Sequence, residues 1–252
     1  MTRLLLLSGS SEASTLARDL GSRDDVTVIR SLAGVTRTPA ALPGEVRTGG
    51  FGGVAGLTRY LREAGVDLLV DATHPFALRM PWHAAEAAAT TGTPRLRVLR
   101  PAWSAQPGDH WHRVRDLAAV VDALDDVGSR RPFLALGRMA LAAVGPLPGR
   151  QVLVRSVEPV EEAPFAIAAS IVGRGPFVFD DELALLREHD VDAVVTRNSG
   201  GTAAGAKIEA ARRLGLPVVV IDRPRQPDGP VATTTADALA WIDATLAPTT
   251  RP

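Results

Sequence analysis

Val194-Val195-Thr196-Arg197-Asn198-Ser199-Gly200-Gly201, followed by Lys207 and the apolar-periodic Ile208-Glu209-Ala210-Ala211-Arg212-Arg213-Leu214, contains a complete strand-to-helix transition. A short β-branched run, of the kind buried on both faces, ends in a polar, glycine-bearing loop, and the loop opens a helix. That order is the building unit of a parallel α/β sheet. A loop of this kind gathers backbone N–H groups at the positive end of a helix dipole and so suits an anionic ligand. Lys207 is the only lysine among 28 Lys+Arg residues. It is either a compact cation placed just inside that helix or an accident of an arginine-biased composition.

The same rhythm extends along the chain in both directions. Expected strands are Arg3 to Leu7, Val26 to Arg30, Asp67 to Val70, Leu96 to Leu99, Phe133 to Leu136, Val152 to Arg155, Ala193 to Thr196 and Val218 to Ile221. Amphipathic helices lie between them, among them Glu12 to Leu20, Val54 to Ala64, Leu78 to Thr90, Leu117 to Asp125 and Ala204 to Leu214. The alternation predicts an α/β fold with mostly parallel sheets covered by helices. Thr91-Gly92-Thr93-Pro94 breaks a helix and Arg100-Pro101 follows the next strand, which places a division at roughly 91–105. The expected domains are 1–96 and 97–252. Each half is expected to be too short for a full six-stranded dinucleotide fold and long enough for an open sheet.

Composition removes several function classes. Among 252 residues there is no cysteine, which excludes a disulfide scaffold, a thiolate metal site and a cysteine nucleophile. Formal net charge is zero, so a general nucleic-acid binder is not expected and any anion site must come from local clustering. Ser8-Gly9-Ser10-Ser11-Glu12 interrupts the run Leu4-Leu5-Leu6-Leu7 far short of a signal-peptide core or a membrane span. The expectation is a soluble cytoplasmic protein with no membrane partner. No metal site is expected: His110 and His112 share one face of a strand pattern, and no third ligand stands near them.

In the amino-terminal half, Leu4 to Ala13 reads as strand, tight turn and helix start. Serines replace two glycines of the usual dinucleotide fingerprint, so the motif alone also fits a capped turn in any α/β protein. The amides of Ser10 and Ser11 would face a pyrophosphate, with Ser11 as the expected helix cap. The second strand ends Val28-Ile29-Arg30-Ser31, without the acid that binds a ribose 2′-hydroxyl and with an arginine and a hydroxyl suited to a 2′-phosphate. A dinucleotide bound here should be NADP(H). Arg47-Thr48-Gly49-Gly50-Phe51-Gly52-Gly53 permits close backbone approach and places one aromatic ring where a flat ligand could lie. Asp71-Ala72-Thr73-His74-Pro75-Phe76-Ala77 follows a buried strand, so His74 should sit where the reactive end of a cofactor lies, as a proton donor or as a structural group. Tyr60 is the only tyrosine and Ala64 stands four residues on, so the short-chain dehydrogenase dyad is absent.

Gly9-Ser10-Ser11-Glu12-Ala13, Thr48 to Gly53, Asp71 to Ala77, Arg100-Pro101-Ala102-Trp103, Leu136-Gly137-Arg138 and Thr196 to Gly201 together resemble the precorrin-6A reductase family, CobK/CbiJ, in order along nearly the whole chain. The family pattern usually carries a glycine-threonine pair where Ser10-Ser11 stands, and commonly lysine at the position of Arg197. The resemblance implies NADPH-dependent reduction of one macrocycle double bond of precorrin-6A in cobalamin biosynthesis, giving precorrin-6B. It also implies two Rossmann-like domains with the tetrapyrrole in a cleft between them. On this reading the cofactor residues are Gly9, Ser10, Ser11, Glu12, Arg30, Ser31, Thr48, Gly49, Gly50, Phe51, Asp71, Thr73 and Pro75. His74 is the catalytic candidate. Substrate carboxylates would meet Arg138, Arg197, Asn198, Ser199, Gly200, Gly201, Lys207 and Arg223, which stand at or after strand ends. A monomer or weak oligomer is expected. The competing readings are an NADPH reductase of another polyanionic small molecule and a non-catalytic NADP-sensing regulator.

Overall fold

Leu4, Leu5, Leu6 and Leu7 are all buried, and they alternate between two cores. Leu4 and Leu6 pack with Leu16 and Leu20 on one side, while Leu5 and Leu7 pack with Leu57 and Leu61 on the other. A strand apolar on both faces belongs at the centre of a sheet with helices above and below. The computed structural model describes residues 1–33 and 42–247. Its elements are β1 (Thr2–Ser8), α1 (Ser11–Gly21), β2 (Val26–Leu32), β3 (Glu45–Thr48), α2 (Gly53–Glu63), β4 (Leu68–Ala72), α3 (Met80–Thr91), β5 (Arg95–Val98), β6 (His110–Val114), α4 (Val120–Asp126), β7 (Pro132–Ala135), α5 (Arg138–Leu141), β8 (Val152–Ser156), β9 (Ile167–Val172), α6 (Phe179–Glu188), β10 (Ala193–Arg197), α7 (Ala206–Leu214), β11 (Pro217–Ile221), β12 (Val231–Ala232) and α8 (Thr235–Leu246).

The strands form two six-stranded sheets, ordered β3-β2-β1-β4-β5-β12 and β9-β8-β7-β10-β11-β6. Every recorded pairing is parallel. In each sheet five neighbouring strands follow the order of a dinucleotide-binding sheet, in which the strand order reverses beside one central strand. The reversal falls between β1 and β4 in the first sheet and between β7 and β10 in the second. The sixth position is filled unexpectedly in both. β6 precedes the other strands of its sheet in the chain, and β12 reaches the first sheet only after the second is complete.

The chain accordingly divides into one unit of Met1–Arg100 with Pro224–Pro252 and another of Pro101–Arg223. Two expectations are corrected. Residues from Pro224 onward were expected with the second half, but β12 pairs with β5 through Val231 and Ala232, and Ala238 and Ile242 of α8 join the core of the first sheet. Six strands also fit in each unit, because several are only four or five residues long and β12 has two. Strands β3, β6, β9 and β12 were not among the expected strands. All four are sheet edges, where half-exposed residues such as the alternating Ile167 to Val172 lack a continuous apolar run.

Among the described residues no helix is long and apolar enough to cross a membrane. Because Ile242 is fully buried against the first sheet, Ile242→Ala should lower unfolding free energy by about 2–5 kcal/mol. Urea unfolding measures this, and a loss under about 0.5 kcal/mol would mean that α8 is not part of that core.

Candidate active site

The carboxyl ends of β1 and β4 meet at the reversal point of the first sheet. A Cβ on Gly9 would lie 3.1 Å from the His74 backbone nitrogen and 3.3 Å from Thr73 Cα, so a side chain at residue 9 would push the turn after β1 and the exit of β4 apart by a few tenths of an ångström. Ser10, rather than the expected Ser11, caps α1: it is extended at φ −135°, its Oγ accepts from the Ala13 amide at 3.3 Å, and the same hydroxyl donates to the Ala72 carbonyl at 2.8 Å. Ser11 instead donates to the Glu12 carboxylate. Glu12 does not face the turn as a lone acid, since Arg100 Nη1 lies 2.7 Å from its Oε2. Burial alone would raise the Glu12 carboxyl, but its own backbone amide, the Arg100 charge and hydrogen bonds from Arg100 and Ser10 more than offset it and hold it below the usual range. That pairing neutralises a carboxylate that would otherwise repel an anion at the helix start.

The β4 exit is built on a buried ion pair. Asp71 Oδ1 accepts from the Thr73 amide at 3.0 Å, the Thr73 hydroxyl at 2.7 Å and Arg97 Nη1 at 3.0 Å. Arg97 Nη1 also donates to the carbonyls of Asp71 and Thr73, each at 3.0 Å. Burial lowers the Arg97 pKa, and the Asp71 charge opposes that shift. Arg97 Nε donates to Gln226 Oε1 at 3.3 Å, and Gln226 Nε2 reaches the Pro75 carbonyl at 3.4 Å. Asp71, Thr73 and Pro75, expected to contact cofactor directly, are thus members of the network that shapes the loop. His74 is half-buried, and its Nδ1 accepts from the Phe76 amide at 3.2 Å.

Along the same edge, Arg30 and Ser31 are buried near the end of β2. Arg30 Nη2 donates to the Leu42 carbonyl at 2.7 Å, so its guanidinium is not presented at the edge as expected. Thr48 ends β3, and the loop from Gly49 to Gly53 turns through positive φ at Gly49, Gly52 and Gly53. Gly50 and Phe51 lie within it, and the Phe51 ring sits edge-on to Tyr60 at 5.2 Å between centroids.

In the second unit the loop after β10 is gripped from inside. Asn198 Oδ1 accepts from the Trp103 amide at 2.7 Å and its Nδ2 donates to the Trp103 carbonyl at 3.1 Å. Arg223 donates to the carbonyls of Asn198, at 2.7 Å, and Ser199, at 2.9 Å. Gly200 has φ +68°, and a Cβ there would stand 1.9 Å from the Pro101 carbonyl oxygen. Trp103 Nε1 donates to the Gly201 carbonyl at 2.7 Å, and Lys207 Nζ lies 5.1 Å from the Trp103 ring centroid. Lys207 is 3% exposed and donates to the Ala204 carbonyl. Asn198, Arg223 and Lys207, expected to hold substrate, also build the loop with their side chains, through hydrogen bonds to backbone and the approach of Lys207 to the Trp103 ring. Arg197, whose pKa burial lowers, is half-buried at the strand end. Arg138, after β7, is 47% exposed with Glu158 3.4 Å away.

A sequence profile of the precorrin-6x reductase CbiJ/CobK family matches residues 3–243. The chain belongs to that family. It is 44% identical over 246 residues to precorrin-6A reductase of Rhodococcus erythropolis, covering 96% of this chain and 98% of that one. It is also 44% identical over 243 residues to precorrin-6A reductase of Rhodobacter capsulatus, covering 96% of each. The solved structure of CobK precorrin-6A reductase superposes with a TM-score of 0.87 at 43% identity, over 98% of both chains.

A CbiJ/CobK reductase with this α/β architecture uses a nicotinamide cofactor, and the β1–β4 edge fits one: a glycine turn without a side chain, a capped helix start and a neutralised acid. Among the described residues no group of three or more His, Asp or Glu side chains could hold a metal ion. Four residues to which sequence reasoning gave no role, Arg97, Gln226, Arg100 and Trp103, orient those to which it did. Only Arg100 and Trp103 carried a signal, as parts of a quoted motif.

Burial pushes the Lys207 ammonium down to about 7, the charge of Arg155 acts in the same direction, and Glu182 opposes both. Between about pH 7 and the unfolded value of about 10.4 the unfolded chain holds this proton and the folded chain does not. Stability therefore gains with rising pH in that window, and the cost of the buried charge is fully present below it. Comparing Lys207→Met with the parent by chemical unfolding at about pH 6 and about pH 9, the difference should shift toward the parent at the higher pH. A difference independent of pH would contradict the assignment.

Proposed function

We propose that this protein reduces one macrocycle double bond of precorrin-6A with NADPH, giving precorrin-6B, and that the first unit holds the cofactor while the second binds substrate carboxylates. The observation that carries the cofactor assignment is the close packing of Gly9 on the Thr73–His74 backbone, which sets the capped start of α1, with its backbone amides for a pyrophosphate, at the reversal point of the sheet. The bound cofactor supplies a hydride. The chain supplies position and a shielded site, which for hydride transfer is most of the task.

Ser10 fixes the helix start, Arg100 removes the repulsion of Glu12, and the Asp71–Arg97 pair holds the backbone from Thr73 to Pro75 in place. The hydrogen bond from the Phe76 amide to His74 Nδ1 selects the neutral tautomer with its proton on Nε2. On this reading the Nε2–H of His74 donates a hydrogen bond beside the reacting carbons, and the proton for the carbon that does not receive hydride comes from solvent. Precorrin-6A bears several carboxylates, and Arg138 and Arg197 flank the reversal point of the second sheet as guanidinium partners for them. The loop from Asn198 to Gly201 sets its backbone beside them, and Lys207 acts from beneath through Trp103.

The test is incubation with NADPH and precorrin-6A. Near-ultraviolet absorbance of the cofactor should fall as a product forms that is heavier by a hydride and a proton, and His74→Ala should slow turnover. Gly200→Ala separates the roles of the units, since its Cβ cannot coexist with the Pro101 carbonyl. It should weaken substrate binding by roughly 10-fold or more and leave NADPH affinity unchanged. Selective loss of NADPH binding in that variant would mean that the units hold the opposite ligands.

A further inference from the structure

The carboxyl end of β2 is where a dinucleotide-binding sheet distinguishes a ribose 2′-hydroxyl from a 2′-phosphate. Strand alternation removes Arg30 from that role. It shares a face of β2 with Val28, which packs in the α1 core, and its buried guanidinium donates to the Leu42 carbonyl. Ser31 points the other way, with Ile29, and its register partner on β3 is Arg47. Cross-strand partners share a face, so the Ser31 hydroxyl and the Arg47 guanidinium start from adjacent positions at this edge.

We propose that Arg47, with Ser31 beside it, receives the 2′-phosphate of NADPH and sets the preference over NADH. This deepens the NADPH reading above and rests on it. The guanidinium is already oriented. Its carbon lies 3.7 Å from the centroid of the Phe51 ring and 5.3 Å from that of Tyr60, while Nη1 and Nη2 donate to the carbonyls of Gly49 and Gly50. A guanidinium has five N–H donors, so these bonds leave donors for an anion, and a fork held this way loses little freedom on binding. Space lies beside it: a Cβ on Gly49, Gly50, Gly52 or Gly53 would meet nothing within 4 Å. No Asp or Glu occurs between Val26 and Leu42 to repel a phosphate, and Glu45 on β3 lies 3.8 Å from Arg3.

Calorimetric titration with ADP and with 2′,5′-ADP tests this without any turnover, because the probes differ only in the 2′-phosphate. The parent should bind 2′,5′-ADP more tightly. Arg47→Gln should weaken 2′,5′-ADP by about 10- to 100-fold and ADP by less than about 3-fold, whereas Arg30→Gln should leave the ratio of the two affinities unchanged. Arg47→Lys keeps the charge without the fork and should show a smaller loss, again confined to 2′,5′-ADP, which keeps the test decisive if the glutamine variant does not fold. Equal weakening of both probes by the Arg47 variants would reduce Arg47 to a loop staple and overturn the proposal. A parental preference that survives in them overturns the Arg47 assignment alone. Equal affinity of the parent for both probes overturns the NADPH reading as well.

Discussion

The ion pair between Asp71 and Arg97 is almost wholly removed from water, at 0% and 1% side-chain exposure, and the candidate cofactor edge of the first unit is arranged around it. Removing two charges from water costs several kcal/mol per ion, and with Asp71 Oδ2 and Arg97 Nη2 buried without a partner among the described residues, the cost is offset only at Oδ1 and Nη1, by further hydrogen bonds. Here they come from the Thr73 amide and hydroxyl and from the backbone carbonyls of Asp71 and Thr73. Those partners are the loop itself. The pair therefore holds the backbone from Ala72 to His74 at the place where Ser10 and Gly9 touch it. A glycine turn with nothing firm to rest against would not define a pyrophosphate site.

The second anchor of that loop comes from far along the chain. Gln226 bridges Arg97 and the Pro75 carbonyl, and it lies in the segment that brings β12 and α8 back to the first sheet. The segment that completes the sheet thus also supplies an anchor of this loop. In the second unit the logic repeats with different chemistry: the Asn198 amide and the Arg223 guanidinium hold the loop after β10 through backbone contacts, and the buried Lys207 approaches the Trp103 ring. Both edges present backbone shaped by buried polar side chains, which is how a fixed site is kept free of residual flexibility.

The central strands were legible because burial on both faces leaves a continuous apolar run, as in Leu4 to Leu7 and Val218 to Ile221. Edge strands such as β3, with Glu45, Val46 and Thr48 exposed, carry no such run. The strand ends that carry the glycine turn, the His74 loop and the Asn198 loop were legible too. What individual side chains do there was not. Asp71 finds Arg97 at 26 residues' separation and Asn198 finds Trp103 at 95, and neither pairing leaves a periodic trace. Arg30 and Arg47 illustrate the same limit: both are arginines near strand ends, and only the register of β2 with β3 tells which faces the loop.

The claim that the buried pair shapes the cofactor edge is tested most directly by a double-mutant cycle on Asp71→Asn and Arg97→Met, reading NADPH affinity by titration alongside unfolding free energy. Each single change should destabilise by about 3–5 kcal/mol and weaken NADPH, and the double variant should lose clearly less than the sum of the two in both quantities. Losses that simply add, or NADPH affinity that is untouched while the pair is broken, would contradict it.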